Sequence, residues 1–165
     1  MVVAPAIKKL LDKNQDIIFR IVGFMEMPDF LKSYESSGRI ERKNLVDFVE
    51  LQKEIAEVDV NIAPLVGNQF SNSKSELKYF EASIVGTVTV ATPTYVFSEV
   101  IRHGDNGFLC EHGQWLDTLE SLYWMNKEGK VREIAVKAHD LCVDRYGYAN
   151  QVGMIENVLE SILHS

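Results

Sequence analysis

The fold is decided by one stretch in the middle of the chain, Asn72-Ser73-Lys74-Ser75-Glu76-Leu77-Lys78-Tyr79-Phe80-Glu81, and by the run that follows it, Gly86-Thr87-Val88-Thr89-Val90-Ala91-Thr92-Pro93. The first part opens with residue types that favour a helix N-cap and then shows helical spacing. The second part is a short apolar run that ends at a proline. The stretch therefore predicts a loop, a helix and a short buried strand, in that order.

The predicted helix has an apolar face and a charged stripe beside it. The apolar face consists of Leu77, Phe80 and Ile84, and the stripe of Lys74, Lys78 and Glu81. The free backbone N–H groups of a first helical turn and the helix dipole favour an anion, which Lys74 would lie beside. In the alternative interpretation Ser73 is an ordinary N-cap, and Lys78 and Glu81 form an exposed ion pair. The local pattern leaves both open.

The composition indicates one globular domain. The chain has 165 residues, of which 46% are hydrophobic and 25% are charged. Its net charge of −7 argues against a nucleic-acid partner, because the surface as a whole repels polyanions. The apolar runs are shorter than the roughly 20 residues of a membrane-spanning helix, and no signal-peptide pattern opens the chain. We therefore expect a cytoplasmic protein.

The two cysteines, Cys110 and Cys142, lack the spacing of a metal site. They are interpreted as reduced, buried thiols. The chain is predicted to need no metal.

Strands and helices alternate along the chain, which predicts an α/β fold with a mainly parallel sheet. Strands are predicted at 16–23, 39–44, 59–65, 88–91 and 108–110, in one sheet. The first is expected to be buried on both faces, and the second to lie at or near an edge. The basic cluster on the second strand, Arg39, Arg42 and Lys43, is interpreted as a solvated edge.

A ligand crevice is expected at the carboxyl ends of the strands, as in open α/β sheets. Pro64 ends the third predicted strand there, and the loop 66–72 with Gly67 would line the floor of the crevice. A plain surface loop is the alternative for that segment. His103 lies in a predicted tight turn and is interpreted as solvent-exposed.

Residues 59–110 resemble the C-terminal, donor-binding half of retaining glycosyltransferases with the GT-B fold, the group 1 or family 4 enzymes. The resemblance depends on the order and spacing of short motifs. They are Val60-Asn61-Ile62-Ala63-Pro64, Glu81-Ala82, Gly86, the strand from Val88 to Ala91, Ser98-Glu99-Val100-Ile101, and Asn106-Gly107-Phe108-Leu109.

The resemblance implies a Rossmann-like, three-layer αβα domain over residues 1–147 and a C-terminal crossover helix over 148–165. Relatives place a strand and a glycine-containing loop before the first helix, and six strands in the sheet where five are predicted here. We therefore expect this chain to be a piece of a longer protein or a shortened gene product.

The resemblance also implies a site for a nucleotide-diphosphate sugar, with no other cofactor. Glu81 matches the second carboxylate of the family's Glu-x7-Glu signature, which binds the ribose hydroxyls, whereas Ser73 stands where the first is expected. Lys74-Ser75 matches a variant whose lysine lies near the diphosphate. The remaining positions implied in the site are Pro64, Gly67, Thr94, Tyr95 and Val46. Tyr95 and Val96 replace a Gly-Gly pair, which leaves the donor-sugar contacts open.

The implied reaction is transfer of the sugar, with retention, to a glycan or lipid-linked acceptor in polysaccharide biosynthesis. The acceptor site would come from an N-terminal domain or a partner chain, so this chain alone is expected to bind a nucleotide without turnover. Peripheral membrane association of the full-length protein and a homodimer are further expectations. The alternatives are a non-enzymatic α/β interaction module and a nucleotide-sugar epimerase.

Overall fold

The computed structural model describes residues 2–66 and 68–163, which alternate between helices and strands. The strands are β1 (Phe19–Val22), β2 (Ile40–Lys43), β3 (Val60–Ala63), β4 (Val88–Ala91) and β5 (Phe108–Leu109). The helices are α1 (Ala4–Lys13), α2 (Lys32–Ser36, preceded by a 3-10 turn at Asp29–Leu31), α3 (Phe48–Ala56), α4 (Gln69–Asn72), α5 (Leu77–Ile84), α6 (Tyr95–Val100), α7 (Trp115–Lys127), α8 (Lys130–Tyr146) and α9 (Tyr148–Leu163).

The five strands lie in two parallel sheets. In one sheet β1 pairs with β2, with Phe19 opposite Ile40. In the other, β4 lies between β3 and β5, with Val60 opposite Val88. The α/β class, the five strands and their parallel direction are therefore confirmed. The prediction of one continuous sheet is wrong, because within the described ranges β1 and β3 do not pair with each other.

The three-stranded sheet holds the most buried strand. All four residues of β4 are buried, and Val88 and Val90 are completely shielded from solvent. They belong to one hydrophobic cluster with the apolar face of α1 (Val3, Ile7, Leu10 and Leu11) and the buried face of α7 (Trp115, Leu119 and Leu122). The predicted first helix and its apolar face are thus confirmed, and this cluster fixes α1 and α7 on one side of the sheets.

The first strand is less buried than its sequence predicts. Regular pairing starts only at Phe19, and Ile18 is 55% exposed. A continuous β-branched run is typical of a strand with neighbours on both sides. Here β1 has a partner on one side only among the described residues, so part of its apolar surface is open.

The edge position of β2 is confirmed, since it pairs with β1 alone in the described part of the chain. The interpretation of Arg39 as a solvated edge residue is wrong. Its partly buried guanidinium donates to the carbonyls of Ile17 (2.8 Å), Leu11 (3.2 Å) and Asn14. Arg39 therefore ties the C-terminal end of α1 to the start of β2.

The C-terminal helices follow the predicted pattern. The buried face of α8 consists of Val131, Ile134, Ala135, Ala138 and Cys142. α9 packs on α8 and buries none of its described side chains. Both cysteines are free and buried, as predicted, and burial raises the pKa of each thiol. Among residues 2–66 and 68–163, no helix is both long and apolar enough to cross a bilayer.

Candidate functional site

The loops that follow β3 and β4 meet at the carboxyl edge of the three-stranded sheet. Asn72, the last residue of α4, accepts a hydrogen bond through its side-chain oxygen from the backbone N–H of Tyr95 (3.2 Å). Tyr95 is the first residue of α6, which follows β4. This bond places the segment 72–75 beside the segment 92–95, as expected of two loops from adjacent parallel strands.

The segment before α5 is built differently from its prediction. The expected loop 66–72 contains the short helix α4, whose N-cap Asn68 accepts from the backbone N–H of Ser71 (2.8 Å). Ser73 caps the C-terminal end of α4, because its hydroxyl donates to the carbonyl of Gln69 (2.9 Å). The prediction that Ser73 caps the start of the following helix is therefore wrong.

Lys74 lies between α4 and α5 and is exposed to solvent, as is Ser75. The ammonium nitrogen of Lys74 is 4.6 Å from the centroid of the Phe70 ring. This contact holds a positive charge beside the end of α4. Because Lys74 precedes the helix, it does not share a helical stripe with Lys78 and Glu81, and no ion pair joins those two in the described structure. Both expectations for that stripe are wrong.

α5 begins only at Leu77, and its buried side chains are Tyr79, Ala82 and Ser83. The predicted apolar face is wrong, since Leu77 is 51% exposed and Ile84 is also exposed. Tyr79 takes the inward position because its hydroxyl reaches the carbonyl of Asn106 (3.4 Å) in the buried turn before β5. An aromatic residue with a polar end can occupy such a position, so hydrophobicity alone did not reveal this face.

The start of α5 is fixed by the end of α8. The hydroxyl of Tyr146 donates to a carboxylate oxygen of Glu76 (2.5 Å), the residue that precedes the helix. This hydrogen bond lowers the pKa of Glu76, while burial and then Glu76 itself raise the pKa of Tyr146. The Tyr146 ring also packs edge-on against Phe80, with centroids 5.2 Å apart. α5 therefore has a fixed starting point next to the Lys74 segment.

Thr94 lies at the inner side of the same edge and is almost completely buried. Its backbone N–H donates to the carbonyl of Thr92 (2.7 Å), and its own carbonyl accepts from Ser98 (2.9 Å). Its hydroxyl oxygen is buried without a hydrogen-bond partner among the described residues. A buried hydroxyl without a partner is costly, so a ligand oxygen near Thr94 would stabilise it. Tyr95 beside it is 68% exposed.

The other predicted site residues lie elsewhere or apart. Pro64 and the half-buried Glu81 line a cavity of about 720 Å³ that opens between the two sheets, as does Lys78. Val46 is half-buried in the link between β2 and α3. Gly67 lies outside the described residues. The structure thus gathers Ser73, Lys74, Ser75, Thr94 and Tyr95 around Asn72, but it shows no contact between this group and Glu81 or Val46.

This group of residues can bind an anion. It contains one exposed ammonium group, hydroxyls on neighbouring loops, and no carboxylate within 72–75 or 92–95. Asn72 was overlooked as the residue that joins the two loops, although an Asn next to a Ser-Lys pair is the signal that could have indicated it. In the part of the chain described here, no group of three or more His, Cys, Asp or Glu side chains could hold a metal ion.

A family model described as "Glycosyl transferases group 1" matches residues 1–124, which is well over half of the chain. The chain belongs to the group 1 glycosyltransferases. The resemblance stated from the sequence is therefore confirmed, and so is the Rossmann-like domain of a C-terminal GT-B half.

Solved structures show the same fold. Anabaena HepE in complex with UDP is 18% identical, with a TM-score of 0.69 over 97% of this chain and 44% of that chain. The C-terminal domain of the group 1 protein LpcC from Francisella tularensis is 21% identical, with a TM-score of 0.65 over 89% and 78%. The pneumococcal O-GlcNAc transferase GtfA in complex with UDP and GlcNAc is 15% identical, with a TM-score of 0.73 over 99% and 33%.

This chain spans less than half the length of HepE and a third of GtfA. At these identities the likeness shows the fold alone. No curated protein matches the sequence.

Proposed function

We propose that the chain is the donor-binding half of a retaining glycosyltransferase and binds a nucleotide-diphosphate sugar at the edge formed by segments 72–75 and 92–95. The observation that carries the proposal is the Asn72–Tyr95 hydrogen bond, which brings Lys74 next to the unpartnered hydroxyl of Thr94. Family membership and the carboxyl-edge position support it. Relatives of the same fold were solved with UDP, among them HepE and GtfA.

The proposed chemistry is electrostatic. When the sugar leaves, negative charge grows on the nucleoside diphosphate, and fixed positive groups stabilise it. Lys74 supplies an ammonium group, and Ser73, Ser75 and Thr94 supply hydroxyl donors. The donor needs no metal or further cofactor in this proposal. Tyr95, exposed at the same edge, is assigned to the donor sugar.

Glu81, Pro64, Gly67 and Val46 complete the proposed donor site on the nucleoside side. Glu81 would accept hydrogen bonds from the ribose hydroxyls, and Val46 would contact the base. Glu81 and Pro64 share the wall of the cavity between the sheets, which supports a nucleoside that reaches toward that opening. The absence of a carboxylate at Ser73 leaves Glu81 as the single acidic contact proposed for the ribose.

The acceptor is proposed to be a glycan or lipid-linked saccharide, in polysaccharide biosynthesis. An N-terminal domain or a partner chain would bind it and complete the active enzyme. A cytoplasmic location, peripheral association of the full-length protein with a membrane, and a homodimer belong to the same proposal. Retention would follow if donor and acceptor meet on one face of the sugar ring.

One observation favours a second function, that of an α/β interaction module without catalysis. Lys74 and Glu81, the two most diagnostic positions, show no contact with each other or with a common partner in the structure described here. Lys74 would then be a solvated surface residue. An epimerase-like protein would need further acid and base side chains, and no specific contact supports it.

The decisive experiment is a calorimetric titration of the chain with UDP, GDP and ADP. We expect saturable binding of one nucleotide and a loss of affinity of about tenfold in Lys74→Ala, because a charge-assisted phosphate contact is removed. Glu81→Ala is expected to weaken binding to a similar extent. Lys130→Ala, which removes an exposed lysine on α8, is the matched control and should bind as the unchanged chain does.

Equal affinity of the Lys74→Ala and Lys130→Ala variants would contradict the site, even if a nucleotide binds. No binding of any nucleotide by a chain with a normal melting curve would favour the interaction module.

A further inference from the structure

The two sheets face each other across the cavity with unpaired edges. In a parallel sheet the N–H and C=O groups of one residue point to the same neighbouring strand, and those of the next residue point to the opposite side. The N–H of Phe19 donates to the carbonyl of Arg39, next to β2. The backbones of Arg20 and Val22 therefore point away from β2, toward the cavity that both residues line.

The edge of β3 shows the same arrangement from the other side. The carbonyl of Ala63 accepts from the N–H of Thr92, which follows β4. The backbones of Val60 and Ile62 consequently point away from β4, and both line the same cavity. Among the described residues neither of these edges pairs with a strand. Two rows of backbone donors and acceptors thus border one opening of about 720 Å³.

The other two walls of the cavity are formed by helices. One wall is apolar and consists of Val3, Ile7, Leu10 and Leu11 from α1 and Leu119 and Leu122 from α7. The opposite wall is mixed, with Leu51 and Ile55 of α3 beside the ion pairs of Arg20 with Glu54 (3.0 Å) and Glu57 (2.7 Å). Polar backbone groups along two sides and side chains above and below are the surroundings of a strand inside a sheet.

We propose that this cavity is a binding site for one extended β-strand, parallel to β1 and β3, which belongs to the polypeptide directly ahead of α1 in a longer form of this chain. The strand would join the two sheets into one, in the order β2, β1, added strand, β3, β4, β5. This inference is independent of nucleotide binding, because it depends only on the two edges and the walls between them.

The position of α1 gives the direction of the added strand. Arg39 holds the carbonyls of Leu11 and Asn14, so the C-terminal end of α1 lies at the start of β2 and therefore at the amino end of the sheet. A ten-residue helix extends about 15 Å, so its first turn lies toward the carboxyl end. Val3, just before α1, lines the cavity. A strand connected to α1 by a short link ends at the carboxyl edge and runs parallel to its neighbours.

The walls also determine the side chains of the strand. Positions that face α1 and α7 require branched apolar residues, because that wall is entirely apolar. Positions that face α3 require small uncharged residues. Glu54 there is already paired with Arg20 (3.0 Å) and Lys43 (3.5 Å), so it does not need another cation. The occupant is therefore an alternating strand rather than a uniformly apolar one.

The test adds the strand to the chain and follows single amides. A Val-Thr-Val-Thr-Val segment is fused ahead of Val2 through a two-residue Gly-Ser link, and hydrogen exchange is measured by NMR. In the unextended chain we expect fast exchange at Arg20, Val22 and Ile62 and slow exchange at Phe19 and Ile21, whose N–H groups point to β2. The extension should slow the first three amides by at least about tenfold and raise the melting temperature by several degrees.

A matched extension with aspartate in place of the three valines is the control. It should leave the three amides fast, because the apolar wall does not accept charges. Three results would overturn the proposal. The valine extension could leave the amides fast, the aspartate extension could protect them equally, or the unextended chain could already protect them and sediment as a dimer. The last result would mean that a second copy fills the cavity.

Discussion

At the scale of single residues, a few polar contacts hold the candidate site in place. Asn72 joins the loops after β3 and β4 through one hydrogen bond, and Tyr146 fixes the residue before α5 through another. Asn106 is buried, and its side chain bonds the carbonyl of Val100 (3.0 Å) and the N–H of Arg102 (2.7 Å). Polar residues with satisfied partners therefore support the edge from beneath.

The Tyr146–Glu76 hydrogen bond makes stability depend on pH. The pKa of Glu76 is lowered in the folded chain, so its contribution is fully present above the ordinary value of 4.5 and is lost as the pH falls through the lower folded value. We expect Tyr146→Phe to reduce the free energy of unfolding by about 1 kcal/mol at pH 7, allowing for partial exposure to solvent. The loss should shrink below pH 4.5.

Urea unfolding at pH 7 and pH 3.5 measures this difference. Tyr148→Phe, at an 85% exposed position, is the control and should change stability by less than about 0.5 kcal/mol. A loss that is equal at both pH values would show that the Tyr146 hydroxyl does not act through the Glu76 carboxylate.

At the scale of elements, β4 is the centre of the three-stranded sheet and carries the loop of Thr94 and Tyr95. Its residues pack between helices on both faces, with Val88 and Val90 against α1 and α7 and Ala91 in a cluster with Tyr79 and Phe97. This packing fixes the height at which the strand ends. The site edge is therefore positioned by the core rather than by its own loops.

Truncation of β4 tests that role. Val90→Ala removes a completely buried side chain from the central strand and should cost about 2 to 3 kcal/mol, the sum of lost burial and a residual cavity. Val49→Ala, at a 65% exposed position in α3, is the matched control and should change stability by less than about 0.5 kcal/mol. Chemical denaturation measures both. Similar losses in the two variants would contradict the central position of β4.

The same elements show how far the sequence predicts the structure. Apolar periodicity located α1, β4 and the buried face of α8, because in these elements the hydrophobic effect alone decides which side faces inward. It failed for α5, where a hydrogen bond from Tyr79 determines the buried face. It also failed at Ser73 and Arg39, since cap and carbonyl contacts depend on the exact end of a helix.

The site was predicted in a similar, partial way. Residues near Lys74, Thr94 and Tyr95 come together, because loops after adjacent parallel strands must meet. The pairing of Glu81 with Lys74 was expected from a helical stripe that does not exist, as α5 starts three residues after Lys74. Single-residue shifts of a helix start cannot be read from spacing, and they decide which side chains meet.

At the scale of the whole molecule, the chain consists of two parallel sheets covered by helices, with a cavity between them and the candidate site at the carboxyl edge of the larger sheet. Its net charge of −7 makes the ammonium group of Lys74 a local exception rather than part of a basic surface. A small phosphorylated ligand fits that arrangement better than a polyanion does.

The most direct measurement is an NMR titration of the isotope-labelled chain with UDP, in which every backbone amide is followed. If segments 72–75 and 92–95 form a donor-nucleotide site, the largest saturable shift changes will fall on Lys74, Thr94, Tyr95 and their neighbours, and Lys74→Ala will weaken them. Shift changes confined to other surfaces, such as the basic residues of β2, or no changes at millimolar UDP, would contradict a nucleotide site at this edge.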